Sequence, residues 1–277
     1  MRPPDVLPVA GLEQDAWAGG KQWVNTGDLD IAYVEIAGAG PPLLLIHGFT
    51  DSSRSFSLLA PHLAGRWLIM PDLRGHGASQ VGDGCRVADF AEDIAGLIRV
   101  LKLDRPVVVG HSLGGMVAIA LAARQPDLIG GLVLLASALK PGFTPDHPLP
   151  VGVQALRDPI SPADPFYAWW HACQPSVPRQ FLSGLAKEAS AMPAARWRAI
   201  LEEVRITDLT AAARAVRART LIIAGACDPL FGEMHQQSLA ETLTGSHLVW
   251  AQNCGHNPHW EDPAFVASVM MGLLTGC

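Results

Sequence analysis

A serine set between glycines is the feature of this sequence best suited to chemistry. Gly110-His111-Ser112-Leu113-Gly114 follows the apolar run Val107 to Val109 and precedes a segment with helical spacing. A GxSxG pattern between a strand and a helix makes a turn so tight that flanking side chains would collide, and it raises the serine hydroxyl above the backbone. We therefore expect Ser112 to be a nucleophile. The alternative is an ordinary serine cap at a helix start.

A histidine near the end of the chain can supply the base that such a serine needs. A serine hydroxyl is a weak nucleophile at neutral pH unless a neighbouring base takes its proton during attack. The stretch Cys254-Gly255-His256-Asn257-Pro258-His259 follows the last predicted strand. We expect His256 to be the base because it follows Gly255 in the tight part of the turn. The competing His259 begins a run that leads into a helix.

An aspartate follows a third apolar run. Asp228 comes just after Thr220 to Ala224, and a carboxylate there can fix the tautomer of the base and stabilise its protonated form. Because ligands of open α/β sheets bind beyond the carboxyl ends of the strands, Ser112, Asp228 and His256 can converge on one pocket. The alternative reading of Asp228, which precedes Pro229, is a turn residue or helix cap.

Backbone N–H groups must stabilise the negative charge that develops when a carbonyl is attacked. The loop His47-Gly48-Phe49-Thr50 follows the apolar run Leu43 to Ile46 and is of the right kind. We expect the oxyanion hole to consist of the N–H of Phe49 and the N–H of Leu113. Asp51, close to this loop, is interpreted as a local turn former.

The elements that must position these residues alternate between strands and helices. A loosely alternating stretch from Trp23 to Glu35 predicts an antiparallel hairpin at a sheet edge. Short apolar runs bounded by Gly, Pro or Asp predict six buried parallel strands. They are Leu43 to Ile46, Trp67 to Met70, Val107 to Val109, Leu132 to Leu135, Thr220 to Ala224 and His247 to Trp250. Helical spacing between them occurs in Val87 to Leu101, Met116 to Arg124, Met234 to Leu243 and Pro263 to Leu274. This alternation predicts a doubly wound sheet.

One region has no strand-like run. From Lys140 to about Arg214 prolines cluster, and helical stretches are predicted at Phe166 to Cys173, Val177 to Ala191 and Ala194 to Val204. We interpret this region as a helical cap inserted after the sixth strand. The predicted organisation is therefore a loose leader (1–22), a first core part (23–139), the cap (140–214) and a second core part (215–277).

Aromatic side chains are concentrated in the predicted cap. Phe166, Trp169 and Trp170 can line an apolar acyl or alcohol pocket, because aromatic rings offer a large contact area. They can equally serve only to pack the cap onto the core. Both readings stay open at the level of sequence.

Composition restricts the class of protein. Of 277 residues, 49% are hydrophobic and 17% charged, which is typical of an ordered globular chain, and the net charge of −6 without any basic run argues against nucleic-acid or anionic-membrane partners. The longest apolar region is interrupted by glycines and polar residues, so no membrane span is expected. No signal-peptide core is visible, and a cytoplasmic location is expected.

Five cysteines without a CxxC pair predict free thiols, with Cys227 and Cys254 buried and inert, and no zinc site.

The motifs together resemble the α/β-hydrolase fold family, near its small esterase, lactonase and haloperoxidase-like branch. The residues that carry the resemblance are His47-Gly48-Phe49, the stretch Pro71 to Ser79, Gly110 to Gly115, Asp228 and Gly255-His256. The order Ser112, Asp228, His256 is also that of the family. The resemblance implies a mostly parallel eight-stranded sheet with helices on both faces, an inserted helical cap, no metal and no cofactor. It also implies that Asp72 to Ser79 is mainly a structural loop.

The function expected from these residues is hydrolysis of a small carboxylic ester or lactone through an acyl-enzyme on Ser112. Serine at this position argues against the related epoxide hydrolases and haloalkane dehalogenases, which use an aspartate there. Cleavage of a β-diketone carbon–carbon bond by the same three residues remains an alternative. Another is a ligand-sensing or partner-binding protein with slow turnover, because a fold does not fix a function.

Overall fold

The structure, a computed structural model, describes residue 14 and residues 16–275. Its eight strands form one sheet in the order β1-β2-β4-β3-β5-β6-β7-β8, where the pairs β1–β2 and β2–β4 are antiparallel and all others parallel. The predicted α/β-hydrolase fold is confirmed. The strands are β1 (Lys21–Asn25), β2 (Asp30–Ile36), β3 (Ala39–Ile46), β4 (Arg66–Pro71), β5 (Val107–His111), β6 (Gly131–Leu135), β7 (Thr220–Gly225) and β8 (His247–Ala251).

Helices cover both faces of this sheet. They are α1 (Val87–Val100), α2 (Leu113–Arg124), α3 (Pro148–Ala155), α4 (Phe166–Trp170), α5 (Arg179–Ser190), α6 (Ala194–Ile206), α7 (Thr210–Ala215), α8 (Glu233–Thr242), α9 (Pro258–Glu261) and α10 (Pro263–Thr275). Alternate residues of β3 separate into two cores: Leu44 packs in the core that includes α1, α2 and α8, and Leu45 in the core that includes α10. Because both faces of these strands are buried, side chains on both faces are apolar, and each strand is a continuous apolar run in the sequence.

The last strand differs from its prediction as a buried strand. Among the strands that the structure describes, β8 pairs only with β7 and ends the sheet. His247 is exposed, and Leu248, Val249 and Trp250 are half-buried. An edge strand lacks a neighbour on one side, so its side chains retain contact with water.

The predicted leader, residues 1–22, falls partly on residues 1–13 and 15, which lie outside the described residues. The prediction of a loose segment is wrong for the part that the structure describes after residue 15. Trp17 is fully buried in the core beside α10, and its indole N–H donates to Ser53 Oγ over 3.1 Å. β1 begins at Lys21, whose ammonium lies 2.7 Å from the Asp72 carboxylate. Burying the large indole holds this segment against the sheet.

Between β6 and β7 the chain forms helices α3 to α7. Helices α5 and α6 lie within two residues of their predicted bounds, whereas α4 ends at Trp170, three residues before the predicted end. α3 has no counterpart in the prediction because Pro148 and Pro150 suggest a break. Both prolines lie in the first turn of the helix, where a proline costs no intrahelical hydrogen bond. The limits of the cap at 140 and 214 stay a prediction.

Candidate active site

The turn between β5 and α2 holds Ser112 in a strained conformation. Its φ is +50°, a region that side chains other than glycine rarely adopt. The neighbouring glycines make the turn possible: a Cβ on Gly110 would lie 2.3 Å from the carbonyl oxygen of Gly114, and one on Gly114 would lie 2.1 Å from the carbonyl oxygen of Ile46. Both contacts are with backbone, which cannot move aside. The side chain of Ser112 is therefore directed to the carboxyl edge of the sheet.

His256 lies in the loop between β8 and α9, and its Nε2 is 3.0 Å from Ser112 Oγ. The loop packs closely on the end of β7, where a Cβ on Gly225 would come within 1.9 Å of the carbonyl oxygen of Gly255. The Glu261 side chain accepts from the N–H of Gly255 at 3.1 and 3.2 Å, which ties the loop to α9. These contacts fix the backbone from which the imidazole extends.

Asp228 follows β7, and its Oδ2 lies 2.9 Å from Nδ1 of His256. The other carboxylate oxygen accepts from the N–H of Leu230 at 2.8 Å and the N–H of Phe231 at 3.1 Å. Burial by itself raises the pKa of Asp228, but the nearby imidazole and these N–H donors outweigh burial and hold the pKa below its usual value. The carboxylate is thus ionised at neutral pH. It favours the tautomer of His256 with hydrogen on Nδ1 and a free lone pair on Nε2.

The competing histidine, His259, does not join this relay. Its Nε2 lies 2.9 Å from Ser55 Oγ, and its ring is fully buried between Phe56 and His111. Burial lowers its pKa well below the ordinary value, so the ring is neutral.

The two expected oxyanion donors border the same space as Ser112. Phe49, Ser112 and Leu113 line one small cavity of about 10 Å³ under the helices between β6 and β7. α2 begins at Leu113, so the N–H of this residue belongs to the first turn and has no acceptor within the helix. Thr50, after Phe49, has a φ of +66°, in the left-handed region that residues other than glycine rarely adopt. The remaining lining of this cavity is apolar and consists of Met116, Phe143, Leu149, Trp170, Leu201, Val204, Leu230 and Phe231.

Of the three aromatic residues proposed to bind substrate, Trp170 borders the most of the space around Ser112. It borders the apolar cavity, a second small cavity beside Ser112, and an outer cavity of about 380 Å³. Its indole N–H donates to Thr50 Oγ1 over 2.9 Å. Trp169 lines only the outer of these three cavities, and it is 39% exposed. Phe166 instead packs within the helical region against Trp197 and Gly152, so the packing reading applies to it.

Two further residues, which the sequence did not single out as functional, face the second small cavity. Asp51 and His111 line it together with Phe49, Ser112, Trp170, His256, Asn257 and Trp260. Burial raises the pKa of Asp51 to about 7, although a hydrogen bond from Ser55 and the imidazole of His256 oppose the rise. Burial lowers the pKa of His111 to about 3, so the ring is neutral. The position of His111 directly before the nucleophile was the signal available in the sequence.

The stretch after β4 stabilises the loop His47 to Thr50, which carries the expected oxyanion donor Phe49. The carboxylate of Asp72 accepts from Lys21 Nζ at 2.7 Å, and from the N–H groups of Ser53 and Ala78 at 2.8 Å. Nε2 of His47 accepts from the N–H of Leu73 at 2.9 Å. Burial raises the pKa of Asp72, but the ammonium and the N–H donors outweigh it, and the pKa lies below the usual value. These contacts join β4 to the loop that carries Phe49.

The cysteines near the site differ from their prediction in part. Cys254 is buried, and burial raises the pKa of its thiol to about 12. Cys227 was expected to be buried but is exposed on the outer cavity, because it lies in the turn after β7 where the chain leaves the sheet.

Within residues 14 and 16–275 no cluster of three His, Cys, Asp or Glu side chains is arranged to hold a metal ion. Over the same part of the chain no helix combines the length and the apolar character needed to span a bilayer.

Comparison with known proteins identifies the relatives of this chain. The sequence profile described as "Alpha/beta hydrolase family" matches residues 43–269. The pimeloyl-[acyl-carrier protein] methyl ester esterase of Aromatoleum aromaticum is 31% identical over 255 residues, which cover 85% of this chain and 99% of that protein. An uncharacterized protein of Mycobacterium tuberculosis is 39% identical over 130 residues, which cover 44% of this chain but only 37% of the relative.

The fold agrees with these sequence matches. A thermophilic esterase from Thermogutta terrifontis, solved with malate bound, superposes with a TM-score of 0.77 and is 26% identical. The superposition covers 92% of this chain and 98% of the esterase. The architecture and the sequence therefore indicate the same family.

Proposed function

This chain belongs to the alpha/beta hydrolase family, and on that basis we propose that it is a serine hydrolase of carboxylic esters or lactones that acts through an acyl-enzyme on Ser112. The observation that carries the proposal is the pair of hydrogen-bond distances that joins three loops. Ser112 Oγ lies 3.0 Å from Nε2 of His256, and Nδ1 of His256 lies 2.9 Å from Asp228. All three side chains are at least nine-tenths buried, so these interactions are little weakened by water.

The first half of the reaction forms the acyl-enzyme. His256 takes the proton of Ser112 as Oγ attacks the carbonyl carbon, and the ionised Asp228 stabilises the imidazolium. The N–H groups of Phe49 and Leu113 donate to the oxyanion. Removal of one such donor typically costs about 3 kcal/mol of transition-state stabilisation. His256 then protonates the departing alkoxide, and the carbon–oxygen bond to the leaving group breaks.

Two features support an apolar small-molecule substrate. Among the described residues, no charged side chain lines the cavity that Phe49, Ser112 and Leu113 share, so an apolar acyl or alcohol group placed against its walls leaves no charge unpaired. At about 10 Å³ the cavity holds no more than a water-sized group, so the side chains around it must move to admit such a substrate. Trp170 closes this cavity toward the outer one, and we propose that Trp170 and Trp169 contact the substrate there. The two relatives named above are a methyl ester esterase and a thermophilic esterase, and these names support cleavage of an ester bond rather than a carbon–carbon bond.

The test is turnover of p-nitrophenyl acetate and butyrate by the wild type and by Ser112→Ala. We expect the substitution to lower kcat by at least about 10³-fold, because the residual rate then rests on the oxyanion hole and binding alone. Ser183→Ala, which removes an exposed hydroxyl from α5, is the matched control and keeps wild-type rates. Equal rates for Ser112→Ala and the wild type would remove Ser112 from the mechanism.

The same assay separates the remaining alternatives. Repeated cycles at a constant rate support an enzyme, whereas one slow cycle per molecule supports a ligand sensor that retains the three residues. A panel that adds lactones and β-diketones identifies the bond that is cleaved. Turnover of β-diketones without turnover of esters would replace the ester proposal by carbon–carbon hydrolysis.

A further inference from the structure

We propose that Asp51 and His111 bind the water molecule that hydrolyses the acyl-enzyme, in the second small cavity beside Ser112. The inference rests on the proposed function, because only a covalent acyl-enzyme needs such a water. The cavity has a volume of about 10 Å³, close to the minimum that holds one water. Ser112, His256, Asp51 and His111 give it polar walls, and such a water needs two to four polar partners.

His111 presents an unpaired acceptor. Its Nε2 lies 2.9 Å from the carbonyl oxygen of His256, and since a carbonyl only accepts, Nε2 carries the hydrogen. Nδ1 therefore bears a lone pair. The residue is 2% exposed, and no described group donates a hydrogen bond to Nδ1. A buried acceptor without a donor is costly, and in native proteins such a group is usually matched by water or has a role in function.

Asp51 lies beside this acceptor, and none of the described residues gives it an ionic partner at hydrogen-bond distance. Its Oδ2 accepts from Ser55 Oγ at 3.1 Å and lies 3.9 Å from Nδ1 of His111. The second distance is too long for a direct hydrogen bond. One water that makes two hydrogen bonds of about 2.8 Å at a right angle spans about 4 Å, so a single water fits between the two groups.

The carboxyl of Asp51 is not explained by stability. The residue is 6% exposed, and within the described residues the salt-bridge partner nearest to it is the neutral ring of His111. Desolvation without a cation costs free energy, which is also why its pKa is raised. Buried polar groups that are costly to the fold and face a catalytic cavity are typical of functional sites.

The position of the cavity suits the second half of the reaction. Once the leaving group has departed, His256 is neutral and takes a proton from the water, while the water oxygen forms a bond to the acyl carbon. The second O–H of the water donates to Nδ1 of His111, and the Asp51 carboxyl in its protonated form, which burial favours, donates to the water oxygen. The bond between the acyl carbon and Ser112 Oγ then breaks, His256 returns the proton to Oγ, and the carboxylic acid leaves. Asp51 and His111 act as positioning residues for the water.

The experiment separates the two half-reactions. The wild type, Asp51→Asn and Asp51→Leu are mixed with p-nitrophenyl acetate. Release of p-nitrophenol in the first turnover reports acylation, and loss of the acetyl group from Ser112, followed by mass spectrometry, reports deacylation. For Asp51→Leu we expect deacylation to slow by at least about tenfold and acylation to change by less than about threefold. The reason is that the misplaced water is a reactant in deacylation and takes no part in acylation. Asp51→Asn, which can still bond to water, is expected to lie between Asp51→Leu and the wild type.

A charge control and a folding control complete the design. Asp208→Asn removes a negative charge from the surface, where Asp208 pairs with Lys140 and borders none of the three cavities at the site, and should leave both steps at wild-type rates. Thermal unfolding should show that Asp51→Leu is at least as stable as the wild type, because a costly buried carboxyl has been removed. Parallel loss of acylation and deacylation, or unchanged deacylation, would overturn the water site. If the wild type never becomes acetylated, the proposed acyl-enzyme itself is wrong, and the water site falls with it.

Discussion

Replacing Asp228 by asparagine tests the proposed relay most directly, because the surroundings dictate how the new amide is oriented. In the wild type one carboxylate oxygen accepts from the N–H groups of Leu230 and Phe231, and the other accepts from His256. An asparagine keeps its oxygen toward the two N–H donors. Its NH₂ group then donates a hydrogen bond to Nδ1 of His256, so Nδ1 must carry the lone pair of the ring and the ring hydrogen lies on Nε2. Nε2 is therefore unable to take the proton of Ser112.

The size of the effect follows from the cost of turning the amide around. The productive orientation would direct the NH₂ group at two buried N–H donors and leave both without an acceptor. Each such loss costs about 1–3 kcal/mol, so the productive orientation lies about 2–6 kcal/mol higher. At 1.36 kcal/mol per tenfold change in rate, kcat should fall by roughly 30-fold to 10⁴-fold. The upper end agrees with the effect of about 10⁴ known for the same substitution in a serine protease.

The assay is kcat for p-nitrophenyl butyrate at pH 7, together with thermal unfolding. Stability should change little, because the bonds to the two N–H groups are kept. Asp228→Glu is the matched control for charge, since it retains a carboxylate but changes its distance from Nδ1. If Asp228→Asn kept a rate within about threefold of the wild type, the tautomer argument would be refuted.

Two stability predictions follow from the contacts that hold the site. Gly114→Ala should lower the free energy of unfolding by about 3 kcal/mol or more in urea titrations, because the new Cβ meets the Ile46 carbonyl oxygen at 2.1 Å. Gly272→Ala, in open space on α10, should instead be neutral or stabilising, and equal effects of the two substitutions would contradict the steric argument. Asp72 has a lowered pKa, so its ionised form stabilises the fold above the unfolded-state pKa of about 3.9, and this contribution is lost as the pH falls through the lower folded-state value. The stability gap between the wild type and Asp72→Asn should therefore narrow from pH 7 to pH 3, and a gap that is constant with pH would argue against an ionised, paired carboxylate.

Local features of the fold could be read from the sequence because their causes are local. A strand buried on both faces must be apolar throughout, and a helix between two such strands repeats its apolar residues at turn spacing. The tight turn at Ser112 likewise leaves its mark in the neighbouring glycines. The order of Ser112, Asp228 and His256, each just after a strand, was enough to predict that they lie at one edge of the sheet.

The tertiary structure alone decided what surrounds those residues. Asp51 looked like a turn former, but the sheet brings it beside His111, 60 residues further along the chain. Trp17 looked like part of a loose leader but is buried, and Phe166 packs within the helical region while Trp170 reaches the site. Periodicity states only that a side chain is buried. Which groups it meets depends on strand order and on the packing of distant loops, and these are fixed by close contacts that no local pattern records.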